Sequence, residues 1–144
     1  MKILVINGAN LNLLGKRNPE IYGSFTLLDL QTKMTSLANE LNIEIGLEQT
    51  NSESKIIDLI HFANDNFDGI ILNAGAYTHT SIAIRDAIEA IEKPVIEVHI
   101  SNIFSREEFR HHSYISSVSV GIISGFGFNS YLLALRALYD IVKN

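Results

Sequence analysis

Tyr22 and Arg17 lie five positions apart in segment 8–23, which follows the first apolar run of the chain. A tyrosine hydroxyl, with an ordinary pKa of about 10, is a poor base near neutrality, but a neighbouring guanidinium favours the phenolate. The pair is therefore one route to a tyrosinate general base. The same spacing also fits a loop tyrosine packed beside a solvated arginine, and spacing alone does not choose between them. His99 follows Glu97 at strand spacing, so regular alternation puts both side chains on one face. A carboxylate beside an imidazole fixes its tautomer and favours its protonated form, which suits a general acid; a strand-end histidine is as often simply packed. Arg106 and Arg110 are four apart, hence on one face if the segment is helical. With Lys16 and Arg17 they would make a local positive patch for a small anion, or else remain ordinary surface charges. His111 and His112 diverge on a helix and lack a matching third ligand, so they read as solvated surface, as does His61.

These residues need a scaffold, and hydrophobic periodicity supplies one. Ile3 to Ile6 reads as a fully buried strand ending at Asn7-Gly8. Leu27, Leu30, Met34, Leu37, Ala38 and Leu41 recur at helical spacing behind a Thr26/Asp29 cap. Strands are predicted at 43–47, 69–72, 95–100 and 118–123. Helices are predicted from Ser52, around Ile84 to Ile91, and after Gly125 and Gly127 with Leu132, Leu135, Leu138 and Ile141 inward. Ser105-Arg106-Glu107-Glu108 has the spacing of a capping box opening a short helix. Five strands alternating with helices predict an α/β fold: a flavodoxin-like, doubly wound five-stranded parallel sheet with helices on both faces, as one domain over 1–144. The first connection, about eighteen residues without strong periodicity, is far longer than the roughly 2–6 residues usual for such loops. A loop of that length is expected to carry function.

The rest of the chain narrows the function classes. A formal charge of -5 has the wrong sign for a general nucleic-acid footprint. The absence of cysteine excludes disulfides and thiolate metal sites and points to the cytoplasm. The N-terminal apolar run is too short for a signal peptide or a membrane span. Ligands of an open parallel sheet bind beyond its carboxyl strand ends. Here the residues at those ends are mostly uncharged: Asn7 and Asn73 stand where a phosphoryl-accepting regulator needs carboxylates. No Walker-type glycine-lysine signature is present, although Gly8-Ala9-Asn10 offers backbone donors to a phosphate. A nucleotide- or flavin-binding module and a histidine-dependent metal hydrolase therefore stand as alternatives to an enzyme of small anions.

Taken in order, segments 7–15 (NGANLNLLG), 17–23 (RNPEIYG), 73–81 (NAGAYTHTS), Arg85-Asp86-Ala87 and 97–102 (EVHISN), continuing through Arg106 and Arg110, closely resemble the type II 3-dehydroquinate dehydratases. The resemblance runs from residue 3 to about residue 140. It implies trans-dehydration of 3-dehydroquinate to 3-dehydroshikimate through an enolate, in the shikimate pathway or quinate catabolism. No metal or other cofactor is implied, and the assembly would be a dodecamer built from trimers. By the family pattern, Tyr22 beside Arg17 would be the base, Asn10 would orient a water at the enolate, and His99, oriented by Glu97, would protonate the departing hydroxyl. Asn73, His79, Asp86, Arg110, Ile100 and Ser101 would hold the substrate, Asp86 by reaching a neighbouring subunit's site, and Arg106 would carry closing contacts of the loop. Three positions depart from the pattern: Ala9 where proline is usual, Asn18 where glutamate is commoner, and Asn129-Ser130 where a glycine usually precedes the tyrosine matching Tyr131. Loss of the proline should loosen the base of the loop.

Overall fold

The computed structural model describes residues 1–144. Its strands β1 (Lys2–Asn7), β2 (Glu44–Gln49), β3 (Gly69–Asn73), β4 (Val95–His99) and β5 (Gly121–Ser124) form one all-parallel sheet in the order β2-β1-β3-β4-β5. Five α-helices accompany it: α1 (Pro19–Tyr22), α2 (Leu27–Glu40), α3 (Glu53–Asn66), α4 (Ile82–Ala90) and α5 (Asn129–Lys143). Strand alternation divides the apolar residues between two cores. Ile3, Val5, Ile71, Ile96 and Val98 pack with α2 and α5. Leu4, Ile6, Ile70, Leu72 and Val95 pack with α3 and α4. Burial on both faces is why β1 and β3 read as unbroken apolar runs rather than alternating ones.

Helix starts follow the hydroxyl signals of the sequence. Thr26 and Asp29 form a reciprocal capping box on α2, and Ser52 and Ser81 accept from the third residue of α3 and α4. The chain leaves β1 toward β2 on one side and returns to β3 on the other, so the sheet has its switch point between β1 and β3. Asn7 and Asn73 face each other there in register, and the Gly8 N–H donates to the Asn73 carbonyl at 2.7 Å. Gly8 has no room for a side chain: a Cβ would lie 2.6 Å from the Ala74 carbonyl oxygen.

Three expectations are corrected. No helix starts at Ser105, because its hydroxyl donates back to the Asn102 carbonyl; Asn102 caps a 3-10 turn over Ile103–Ser105, and a second such turn covers Glu108–Arg110. The fifth strand begins at Gly121, since residues Ser116–Val118 are also wound into a 3-10 turn. Ile141 is 46% exposed; the inward stripe of α5 runs through Tyr131, Ala134, Leu135 and Leu138. The long first connection holds a 3-10 turn at Leu11–Leu13 and the single-turn helix α1. Two departures from the family pattern find local reasons. Asn18 takes a left-handed φ of 38°, a conformation asparagine tolerates better than most residues. The hydroxyl of buried Ser130 accepts the Phe126 N–H at 3.1 Å where α5 begins.

Candidate active site

The site is built at the carboxyl end of the sheet, from the first connection and the segments after β3 and β4. Helix α1 is bounded by Asn18 and Pro19 at its start and by Gly23, with φ 78°, at its end. This turn delivers Tyr22 against two arginines. The Arg106 guanidinium donates from Nη1 to the Tyr22 hydroxyl at 2.7 Å and lies 5.1 Å from the ring centroid. Arg17 lies 5.2 Å from the same centroid and makes no hydrogen bond to the hydroxyl. The pairing expected from spacing is thus present as a cation–π contact, while the hydrogen bond comes from Arg106, eighty-four residues on in sequence.

Glu97 and His99 share one face of β4, as alternation requires. The His99 Nε2–H donates to Glu97 Oε1 at 2.6 Å, with Glu97 fully buried. Ser113 donates to Oε1 at 3.0 Å, and the Ser116 hydroxyl donates to Oε2. Burial pushes the Glu97 carboxyl up, but the His99 hydrogen bond and charge, with the two serine hydroxyls, outweigh it and hold it below its ordinary value of 4.5. Since Nε2 is committed to Glu97, Nδ1 is the nitrogen of His99 left for chemistry.

His79 has the opposite polarity. Its Nδ1 lies 2.7 Å from the His112 carbonyl, which can only accept, so Nδ1 carries the proton. Burial lowers the affinity of the ring for a second proton, and the charges of His99 and Arg110 reinforce that against the His112 bond and Glu97, leaving it below the ordinary 6.5. The neutral ring offers an acceptor at Nε2, next to His99, whose ring centroid is 6.3 Å away. Arg110 is held by Glu107 at 2.7 Å. The Ser101 hydroxyl is 3.5 Å from Arg106, and the N–H groups of Ile100 and Ser101 donate to no other backbone group.

Tyr22, Asn73, His79, His99, Ile100, Ser101, Arg106 and Arg110, all expected from sequence, line one cavity of about 40 Å³, with Glu97 directly behind His99. That volume holds a few waters and no six-membered ring. A larger open groove of about 550 Å³ between α2 and α5 contains no histidine and no tyrosine. Besides Glu97, three expected residues lie outside the cavity lining: Arg17, which touches it only through the Tyr22 ring, Asn10 and Asp86. Asn10, with φ 69°, is exposed, and its N–H donates to Asn51 Oδ1 at 2.9 Å. Asp86 is 63% exposed on α4 and paired with Arg85 at 3.3 Å. No group of three His, Asp or Glu side chains is arranged to hold a metal ion.

This arrangement sits on a chain matched over residues 1–139 by the family described as dehydroquinase class II. The chain belongs to that family. It is 57% identical over 143 residues to a protein of Geotalea daltonii named 3-dehydroquinate dehydratase, with 99% of each chain covered. Its fold superposes on the crystal structure of the type II dehydroquinase from Butyrivibrio crossotus with a TM-score of 0.94, at 48% identity and covering 96% and 97% of the two chains. The type II dehydroquinase of Propionibacterium acnes gives 0.93 at 45% identity, with 96% of each covered. The predicted α/β fold is therefore that of dehydroquinase crystal structures. No helix is long and apolar enough to cross a membrane.

Sequence reasoning missed Ser113 and Ser116, which complete the cradle of Glu97, and Asn51, which ties down the turn at Asn10. The serines left one signal: a polar pair three apart, between two aromatic or charged stretches and a strand, where no helix is predicted. Asn51 left none, because its partner is forty-one residues away.

Proposed function

We propose that the chain is a cytoplasmic 3-dehydroquinate dehydratase, a hydro-lyase acting as a single catalytic domain over 1–144. It would serve the shikimate pathway or quinate catabolism. The observation that carries the reading is the convergence, in one small cavity, of a tyrosine hydroxyl held by an arginine and a histidine whose second nitrogen is tied to a buried carboxylate. Membership of the dehydroquinase family supports it.

Tyr22, as tyrosinate beside Arg106 and Arg17, takes a proton from the carbon next to the ketone, and the C–H electrons move onto the ketone oxygen. The enolate needs oriented donors rather than a strong acid, a task assigned to a water ordered by Asn10. The enolate electrons then return, the C1–O bond breaks, and His99 gives its Nδ1 proton to the departing hydroxyl, so that water leaves. Glu97 fixes the orientation of His99 and balances its charge. Tyr22 passes its proton to solvent while His99 takes one up, which restores the starting state. The free N–H groups of Ile100 and Ser101, with the Ser101 hydroxyl and Asn73, suit the substrate carboxylate; the His79 acceptor and Arg110 suit its hydroxyls. Asp86, exposed and not among the residues lining its own cavity, would act in a neighbouring subunit's site within a dodecamer built from trimers. The test is absorbance of the conjugated enone: its formation from 3-dehydroquinate, undiminished by excess chelator, is the expected result. Failure of the assembled protein to form any enone overturns the reading.

A further inference from the structure

Tyr131, in the first turn of α5, is fully buried and lies more than fifty residues in sequence from anything in the cavity except the 99–106 and 110 segments. Its hydroxyl stands between the two asparagines that face each other at the switch point. It accepts from Asn73 Nδ2 at 2.8 Å and donates to Asn7 Oδ1 at 2.6 Å. The third contact sets the polarity of the group: Asn73 Oδ1 accepts the Gly75 N–H at 3.1 Å. A backbone N–H can only donate, so the Asn73 amide must turn its oxygen to Gly75 and its NH2 to Tyr131. The Tyr131 oxygen is then an acceptor, and its single proton goes to Asn7. Burial pushes the Tyr131 phenol well above its ordinary value of 10, so that proton stays in place at any pH at which the protein is assayed.

One N–H of Asn73 is spent on Tyr131, which leaves the other, and Asn73 lines the cavity. We propose that Tyr131 is a positioning residue: its hydroxyl, acting with the Gly75 N–H that fixes the other end of the amide, holds Asn73 in the flip that offers a donor, not an acceptor, to the cavity, and so selects a carboxylate oxygen of the substrate there. Without the hydroxyl only the Gly75 bond holds the amide, which gains freedom to turn, and a carbonyl oxygen presented to a carboxylate repels it. The relay also links α5, which otherwise serves only the core, to recognition of the ligand.

The inference rests on the dehydratase reading for its assay, and the outcomes separate the two. Tyr131→Phe is expected to raise KM for 3-dehydroquinate about tenfold, with kcat within about threefold of wild type, as loss of one ground-state hydrogen bond to a charged group predicts. Asn7→Ala, which removes the acceptor of the Tyr131 proton, is expected to shift KM the same way and keeps the test open if Tyr131→Phe fails to fold. Ile60→Val, buried in the opposite core, is the control for destabilisation alone and should leave KM unchanged. Native KM in the folded variants, or an equal rise in Ile60→Val, overturns the role of Tyr131. A wild-type protein that forms no enone overturns the dehydratase reading itself.

Discussion

Replacing Glu97 with glutamine removes a charge while nearly preserving shape. The carboxylate is fully buried and accepts from His99, Ser113 and Ser116. A hydrogen bond to a charged group contributes about 1.5–3 kcal/mol, against about 0.5–1.5 kcal/mol for a neutral one, so losing the charge across three bonds withdraws roughly 3 kcal/mol. Relief from burying a charge offsets part of that loss in stability. It does not help catalysis, because the imidazolium of His99 loses its counter-charge in the step where it acts. A loss of about 2.7 kcal/mol in that step corresponds to a roughly hundredfold lower kcat. Glu97→Gln is therefore expected to bind substrate almost normally and turn it over about a hundredfold more slowly at neutral pH. Stability supplies a second readout. The folded-state pKa of Glu97 lies below its ordinary 4.5. Its carboxylate thus contributes fully above the unfolded value, and the contribution is lost as pH falls through the folded value. The difference in unfolding free energy between wild type and variant should be flat above about pH 5 and change only on acidification, in the direction that disfavours wild type. A kcat within about twofold of wild type, or a stability difference that moves in wild type's favour on acidification, would refute this account.

Other perturbations probe the loop and its partner. Arg106→Gln removes the only hydrogen bond to the Tyr22 hydroxyl and is expected to lower kcat/KM by about ten- to hundredfold, measured by enone absorbance at saturating and limiting substrate; unchanged kinetics would mean that Arg17 suffices. Ala9→Pro is expected to stabilise the protein by about 0.4–1 kcal/mol in denaturant unfolding, since the Ala9 N–H donates to no backbone group and a fixed φ reduces unfolded-state freedom. Destabilisation would show that the backbone at residue 9 has left the geometry proline requires.

Much of this arrangement is local, and local features were legible. The runs Ile3–Ile6 and Gly69–Asn73, buried on both faces, could be nothing but central strands once helices alternated with them. The Glu97–His99 pair follows from the two-residue period of a strand alone. What failed to show was any contact whose partner depends on the crossing of distant elements. Arg17 was the arginine nearest to Tyr22 in sequence, yet the hydroxyl is bonded by Arg106, because β4 sits beside β3, one strand beyond the switch point, and the turns after it come back to the first connection. The capping-box reading at Ser105 failed for a smaller reason: Asn102 competes for the same turn and wins it with a two-residue side-chain hydrogen bond. The contacts of Ser116 and Tyr131 did not show, because a serine in a short turn and a tyrosine in a helix carry no mark of the buried polar atoms they meet.

The central claim, a tyrosine base and a histidine acid acting on 3-dehydroquinate in one closed cavity, is tested most directly by comparing enone formation by the wild-type protein and by Tyr22→Phe under saturating substrate. The account predicts steady enone formation by wild type, and a variant that still binds substrate but forms product at least about a thousandfold more slowly, as expected when a general base is removed. Near-native turnover by the variant would contradict it, and so would a wild-type protein that forms no enone.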